Sequence, residues 1–65
     1  MSHPAGPWDM LDDGERAALR ARIQAGGLVS VAEALGMARE TVARLCAGLA
    51  VRRGTVALAR AWLAK

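Results

Sequence analysis

The side chains of this sequence that could do chemistry are its arginines. Nine Lys and Arg stand against six Asp and Glu, and the two signs are unevenly placed along the chain. Asp9, Asp12, Asp13 and Glu15 all precede Arg16, whereas from Arg16 onward every cation faces only Glu33 and Glu40. A surface so biased is the electrostatic footprint of a polyanion partner, although Arg is also an ordinary soluble surface residue and composition does not separate the two. Arg52–Arg53 is the most pointed feature, because adjacent cations in a tight loop repel each other unless an anion is near. No catalytic constellation competes. The one histidine, His3, lies in a proline-containing start and the one cysteine, Cys46, has no ligand cluster around it, so neither a nucleophile–base pair nor a metal site of three or four ligands is assembled. Asp12 and Asp13 are explained by helix capping, and Gly26–Gly27 lacks the lysine and the strand of a phosphate-binding loop. The expectation is a protein that is not an enzyme and uses no cofactor, metal or small-molecule ligand.

Helices must position these arginines, since Ala, Leu, Arg and Glu dominate and no strand-like alternation occurs. Residues 1–10, with Pro4, Gly6 and Pro7, read as a flexible N-terminal arm, and residues 11–65 as one all-α domain. A first helix over about 12–25 opens on an Asp12–Glu15 capping box, carries Leu19 and Ile23 as a narrow apolar stripe, and closes where Gly26–Gly27 can turn left-handed. Ser30 and Glu33 form a second capping box for a short helix over 30–35, with Val29 stapled onto Ala34 and Gly36 supplying a tight turn. A third helix over 39–47 turns Val42, Leu45, Cys46 and Leu49 inward and Arg39, Glu40, Ala43 and Arg44 outward, and Gly48 ends it. After a loop over 50–54, Thr55 caps a last helix over 55–64.

That last helix is apolar nearly all round: Val56, Ala59 and Leu63 share one face, Leu58 and Trp62 another. Such a helix is buried on two sides, which makes Leu58 and Trp62 the expected interface of a homodimer. Dimerisation also suits a chain of 65 residues, which buries only about 60% of its unfolded surface. The lone cysteine fits a reduced compartment, and there is neither a ~20-residue apolar run nor the basic and apolar blocks of a signal peptide. A cytoplasmic, nucleoid-associated location without membrane contact is expected.

Two helices that cross closely through a three- or four-residue turn need a small residue at their contact, a permissive turn and apolar anchors. The span VSVAEALGMARETVARLCAGL supplies Ala32, then Gly36, then Val42 and Leu45 at those offsets. Residues Leu28 to Leu49 thus resemble the helix-turn-helix of the lambda-repressor-like superfamily, which includes phage Cro and repressor proteins and the Lac repressor headpiece. The preceding helix, and the tail LAVRRGTVALARAWLA, resemble the elements that flank the motif in that superfamily. The resemblance implies a compact domain of four helices, or five, that binds double-stranded DNA as a small transcriptional regulator, in the usual case a repressor. It implies a recognition helix over about Ala38–Ala47 in the major groove, with Ala38, Arg39, Glu40, Thr41, Ala43 and Arg44 in reach of bases. Arg39 and Arg44 suit guanine, Glu40 suits cytosine, and Ala43 or the Thr41 methyl suits thymine. Arg52, Arg53, Gly54, Thr55 and Ser30 fall where phosphates would be held. A two-fold dimer would read a pseudo-palindromic site with half-sites about 34 Å apart. One departure is Ala38, where the superfamily often has a capping Ser. Ordinary alternatives stand beside these roles: Arg44 can pair with Glu40 one turn back, the apolar last helix can serve an adapter- or antitoxin-like protein-interaction module, and DNA binding can be architectural or recombinational.

Overall fold

The Asp12–Glu15 box starts the first helix as its residue types require. In the computed structural model, which describes residues 6–65, the Asp12 carboxylate accepts from the Glu15 amide at 2.7 Å, and the Glu15 carboxylate accepts from the Asp12 amide at 2.9 Å. Helix α1 spans Asp13–Gly26, burying Leu19 and resting Ile23 on the core. It ends on Gly27, whose amide donates to the Ile23 carbonyl at 2.6 Å. Gly27 takes the positive φ expected of it, 90°, but its ψ of 150° lies outside the left-handed helical region, in a region open essentially to glycine alone.

The reversal at Gly27 lets helix α2 begin at once, over Leu28–Leu35. The expected Ser30–Glu33 box therefore does not form. Ser30 is inside the helix, no side chain caps its start, and Val29 stays 51% exposed instead of stapling onto Ala34. The reason is visible in the apolar spacing: Leu28, Val31, Ala32 and Leu35 recur as one helical stripe, and all four pack in or against the core. Burying that stripe outweighs one capping hydroxyl. Gly36 adopts φ 70°, ψ 32°, with its amide donating to the Glu33 carbonyl and the Met37 amide to the Ala32 carbonyl. These paired bonds are the Schellman closure that favours glycine. Helix α3 follows over Arg39–Cys46 with Val42 and Leu45 fully buried, and Gly48 closes it through the same pair of bonds, to the Leu45 and Arg44 carbonyls. Leu49 is 52% exposed, so it leaves the inward face that its spacing predicts, because the Gly48 turn carries the chain off the helix.

The largest correction lies at the two ends. Trp8–Asp9 form a strand, β1, antiparallel to β2 at Val51–Arg52, with Trp8 opposite Arg52 and Asp9 opposite Val51. The expected flexible arm is thus tied down from Trp8 onward, and its residues 1–5, His3 among them, lie outside the described residues. Leu11, 2% exposed, and Val51 are core residues with Leu19, Val31, Ala32, Val42, Leu45, Val56 and Ala59. Helix α4, Arg53–Leu63, starts two residues before Thr55, with Arg52 as its backbone cap. The Arg53 amide donates to the Pro7 carbonyl at 2.6 Å, so the returning N-terminal segment satisfies the first donor of a helix that opens upstream of Thr55. The result is a mostly helical domain of four helices and a two-stranded ribbon, with no fifth helix among the described residues.

Arg60 locks this arrangement from α4. Its Nε donates to Glu15 Oε2 at 2.7 Å, and its terminal nitrogens reach Asp9 Oδ2 and the Met10 carbonyl at 3.4 Å each. The Arg60 hydrogen bond, with that of the Asp12 amide, holds the Glu15 carboxyl below its ordinary pKa, and the guanidinium is raised in turn. No helix among the described residues is long and apolar enough to cross a membrane.

Candidate nucleic-acid interface

Helix α3 buries Val42 and Leu45, which fixes what its other face presents. Arg39, Glu40, Ala43 and Arg44 are exposed there, Ala38 is exposed at the cap, and Thr41 is half-buried. Ala38 has extended backbone, φ −68° and ψ 150°, and no side chain caps the helix, while its carbonyl accepts from the Thr41 and Val42 amides. The Glu40–Arg44 pair does not form: among the described residues the ion pairs involve only Arg16 with Asp13 and Arg60 with Asp9 and Glu15. Arg39, Arg44, Arg52 and Arg53 are therefore cations without carboxylate partners among the described residues.

Arg52 and Arg53 do not share a loop. Arg52 belongs to β2 and Arg53, Gly54 and Thr55 form the first turn of α4. The structure nonetheless brings part of the expected set together. A groove of about 430 Å³ runs between α3 and the ribbon, lined by Glu40, Thr41 and Arg44 on one side and by Trp8, Arg52 and Thr55 on the other. Arg39, Glu40 and Ala43 border a second, shallower depression with Leu28. Ser30 is elsewhere. It lines a depression with Arg22, Ala25 and Trp62, so the structure separates it from the arginines of α3 and α4.

Trp8 was missed by sequence reasoning. Its indole is 54% exposed, with the Arg52 guanidinium 5.5 Å above its ring. The available signal was that Trp8 is one of two aromatic residues in the chain, too costly a surface to leave in an arm without purpose. The other, Trp62, is half-buried on α4 beneath Arg22, whose guanidinium lies 4.7 Å from the ring. Leu58, 60% exposed, borders the same side of α4 with Ala34, Ala61 and Lys65. Cys46 is half-buried, and burial pushes its thiol pKa up against the opposing pull of Arg20. No group of His, Cys, Asp and Glu among the described residues could hold a metal ion.

Compared with family models, curated proteins and solved structures, the chain matches none.

Proposed function

We propose that this chain is a lambda-repressor-like, helix-turn-helix protein that binds double-stranded DNA and acts as a small transcriptional regulator, a repressor rather than an enzyme. The observation that carries the reading is the run of arginines without carboxylate partners, Arg39 and Arg44 on the exposed face of α3 and Arg52 and Arg53 where β2 meets α4. Helix α3 would enter the major groove, with Arg39, Glu40, Ala43 and Arg44 meeting base edges and Ala38 and Thr41 at the margin. Arg52, Arg53 and the amides near Gly54 and Thr55 would meet phosphates, which set register and not sequence. Ser30 no longer supports a phosphate contact. The exposed Leu58 beside Trp62 supports a homodimer on a pseudo-palindromic site, in the cytoplasm on the nucleoid.

Salt titration of binding to random duplex DNA tests the reading. A steep loss of affinity with salt, with its slope lowered by about two in the Arg52→Ala, Arg53→Ala double variant, is the expected result. Absence of binding at low salt would reject it. A second reading, a protein-interaction module using α4, is favoured by one observation, the 60% exposure of Leu58 next to a half-buried tryptophan.

A further inference from the structure

The groove between α3 and the ribbon is more than a cationic surface. One wall carries an exposed aromatic side chain, Trp8, with the Arg52 guanidinium over its ring at 5.5 Å, on a strand kept in place by the pairing of β1 with β2 and by the Pro7–Arg53 hydrogen bond. The facing wall carries an acceptor, Glu40, a hydroxyl, Thr41, and a planar donor, Arg44, while Arg52 and Thr55 close the near side. Arg44 and Arg52 have no carboxylate partner among the described residues. A ligand that satisfies all of these at once is flat, has donors and acceptors around its edge and carries an anion. An exposed indole binds the π-face of any base, Glu40 and Arg44 match base-edge donors and acceptors, and Arg52 matches a phosphate. The volume, about 430 Å³, falls within the usual range of small-molecule sites.

We infer that this groove is a nucleotide site, in which Trp8 stacks on a base, Glu40 and Arg44 meet its edge and Arg52 meets its phosphate. The inference rests on the nucleic-acid reading of this surface and adds to it a ligand that a fully paired duplex does not offer, an unstacked base. The same chemistry could come from a free mononucleotide or from an unpaired nucleotide of a DNA strand.

Tryptophan emission tests this directly. Trp8→Phe leaves Trp62 as the only tryptophan, so the difference between the parent chain and this variant reports Trp8 alone. The probes are a fully paired duplex, the same duplex with a short single-stranded overhang, the same overhang made abasic, AMP, and heparin as a polyanion without bases. The expected result is quenching of Trp8 by the overhang and not by the abasic overhang or heparin. Quenching by AMP as well assigns a free nucleotide as sufficient; quenching by the overhang alone assigns the DNA strand. Trp8→Ala should weaken overhang binding by about 5- to 150-fold, with Trp8→Phe restoring most of it. Equal Trp8 emission with the base-containing and abasic overhangs overturns the inference, while salt-dependent binding of the paired duplex would leave the broader reading standing. Loss of duplex binding at low salt would remove that reading separately.

Discussion

At the scale of single residues, the arginines divide by whether a carboxylate already holds them. Arg16 and Arg60 are paired within the fold, whereas Arg20, Arg22, Arg39, Arg44, Arg52 and Arg53 have no carboxylate partner among the described residues, and the proposed DNA-binding role draws on the last four. Arg44→Ala is expected to relax base preference at one position of a selected site, at about 1–3 kcal/mol of discrimination. Arg52→Ala should weaken random and selected DNA alike. Binding measured on both DNAs checks this, and equal losses for Arg44→Ala would remove its role as a base reader. Glu15 gives a different kind of prediction. Its folded pKa lies below the unfolded one, so the Arg60 bond stabilises the protein fully above the unfolded carboxyl value and the benefit fades as pH falls toward the folded one. Denaturant melts at pH 7 and pH 3 should therefore differ more for the parent than for Glu15→Gln.

Among the elements, the turns that join α2 to α3 and end α3 depend on glycine for a stated reason. Gly36 has φ +70°, and a Cβ placed there would meet nothing within 4 Å, so Gly36→Ala isolates backbone strain and should cost about 1–2 kcal/mol. In a domain of this size each kcal/mol lowers Tm by about 4–8 °C, which a thermal melt resolves. At Gly48 a Cβ would also come within 2.6 Å of the Arg16 guanidinium, so that substitution should cost at least as much. Ala38 allows stability and binding to be separated. Ala38→Asp adds the missing side-chain cap, worth about 0.5–2 kcal/mol, yet sets a carboxylate at the start of the helix that carries Arg39 and Arg44, so melts should rise while duplex affinity falls. The first helix, both Schellman glycines and the outward residues of α3 were legible in the sequence, because caps, left-handed turns and helical period are local. Ser30 and Thr55 misled for the opposite reason. Each looks like a cap, but the packing of Leu28 against the core and the return of Pro7 to Arg53 are decided by distant partners.

For the whole molecule, the same contrast explains why the start of the chain read as an arm. Two residues of strand carry no period, and only the fold reveals that β2 pairs with them and that Leu11 fills the core. Leu11→Ala should cost about 2–5 kcal/mol. A single core in a domain this short rarely supplies more than about 3–5 kcal/mol, so circular dichroism should find that variant largely unfolded at 37 °C. If residues 8–11 were dispensable, it would melt like the parent. Self-association belongs to this scale also: Leu58→Glu should shift sedimentation toward the monomer if α4 pairs two copies, and should leave it unchanged if α4 serves another protein.

The clamp of Arg60 on Asp9, Glu15 and the Met10 carbonyl sets the order in which the domain can be completed during synthesis. The strand at Trp8–Asp9 leaves the ribosome ahead of all four helices, yet its partner strand is made only just before α4 and its clamp only as α4 is being finished. Until then Leu11 and the indole of Trp8 are exposed apolar surface on a nascent chain. Such surface is where unfinished chains aggregate, and the acids Asp9, Asp12, Asp13 and Glu15 clustered around it keep that stretch charged and solvated while it waits.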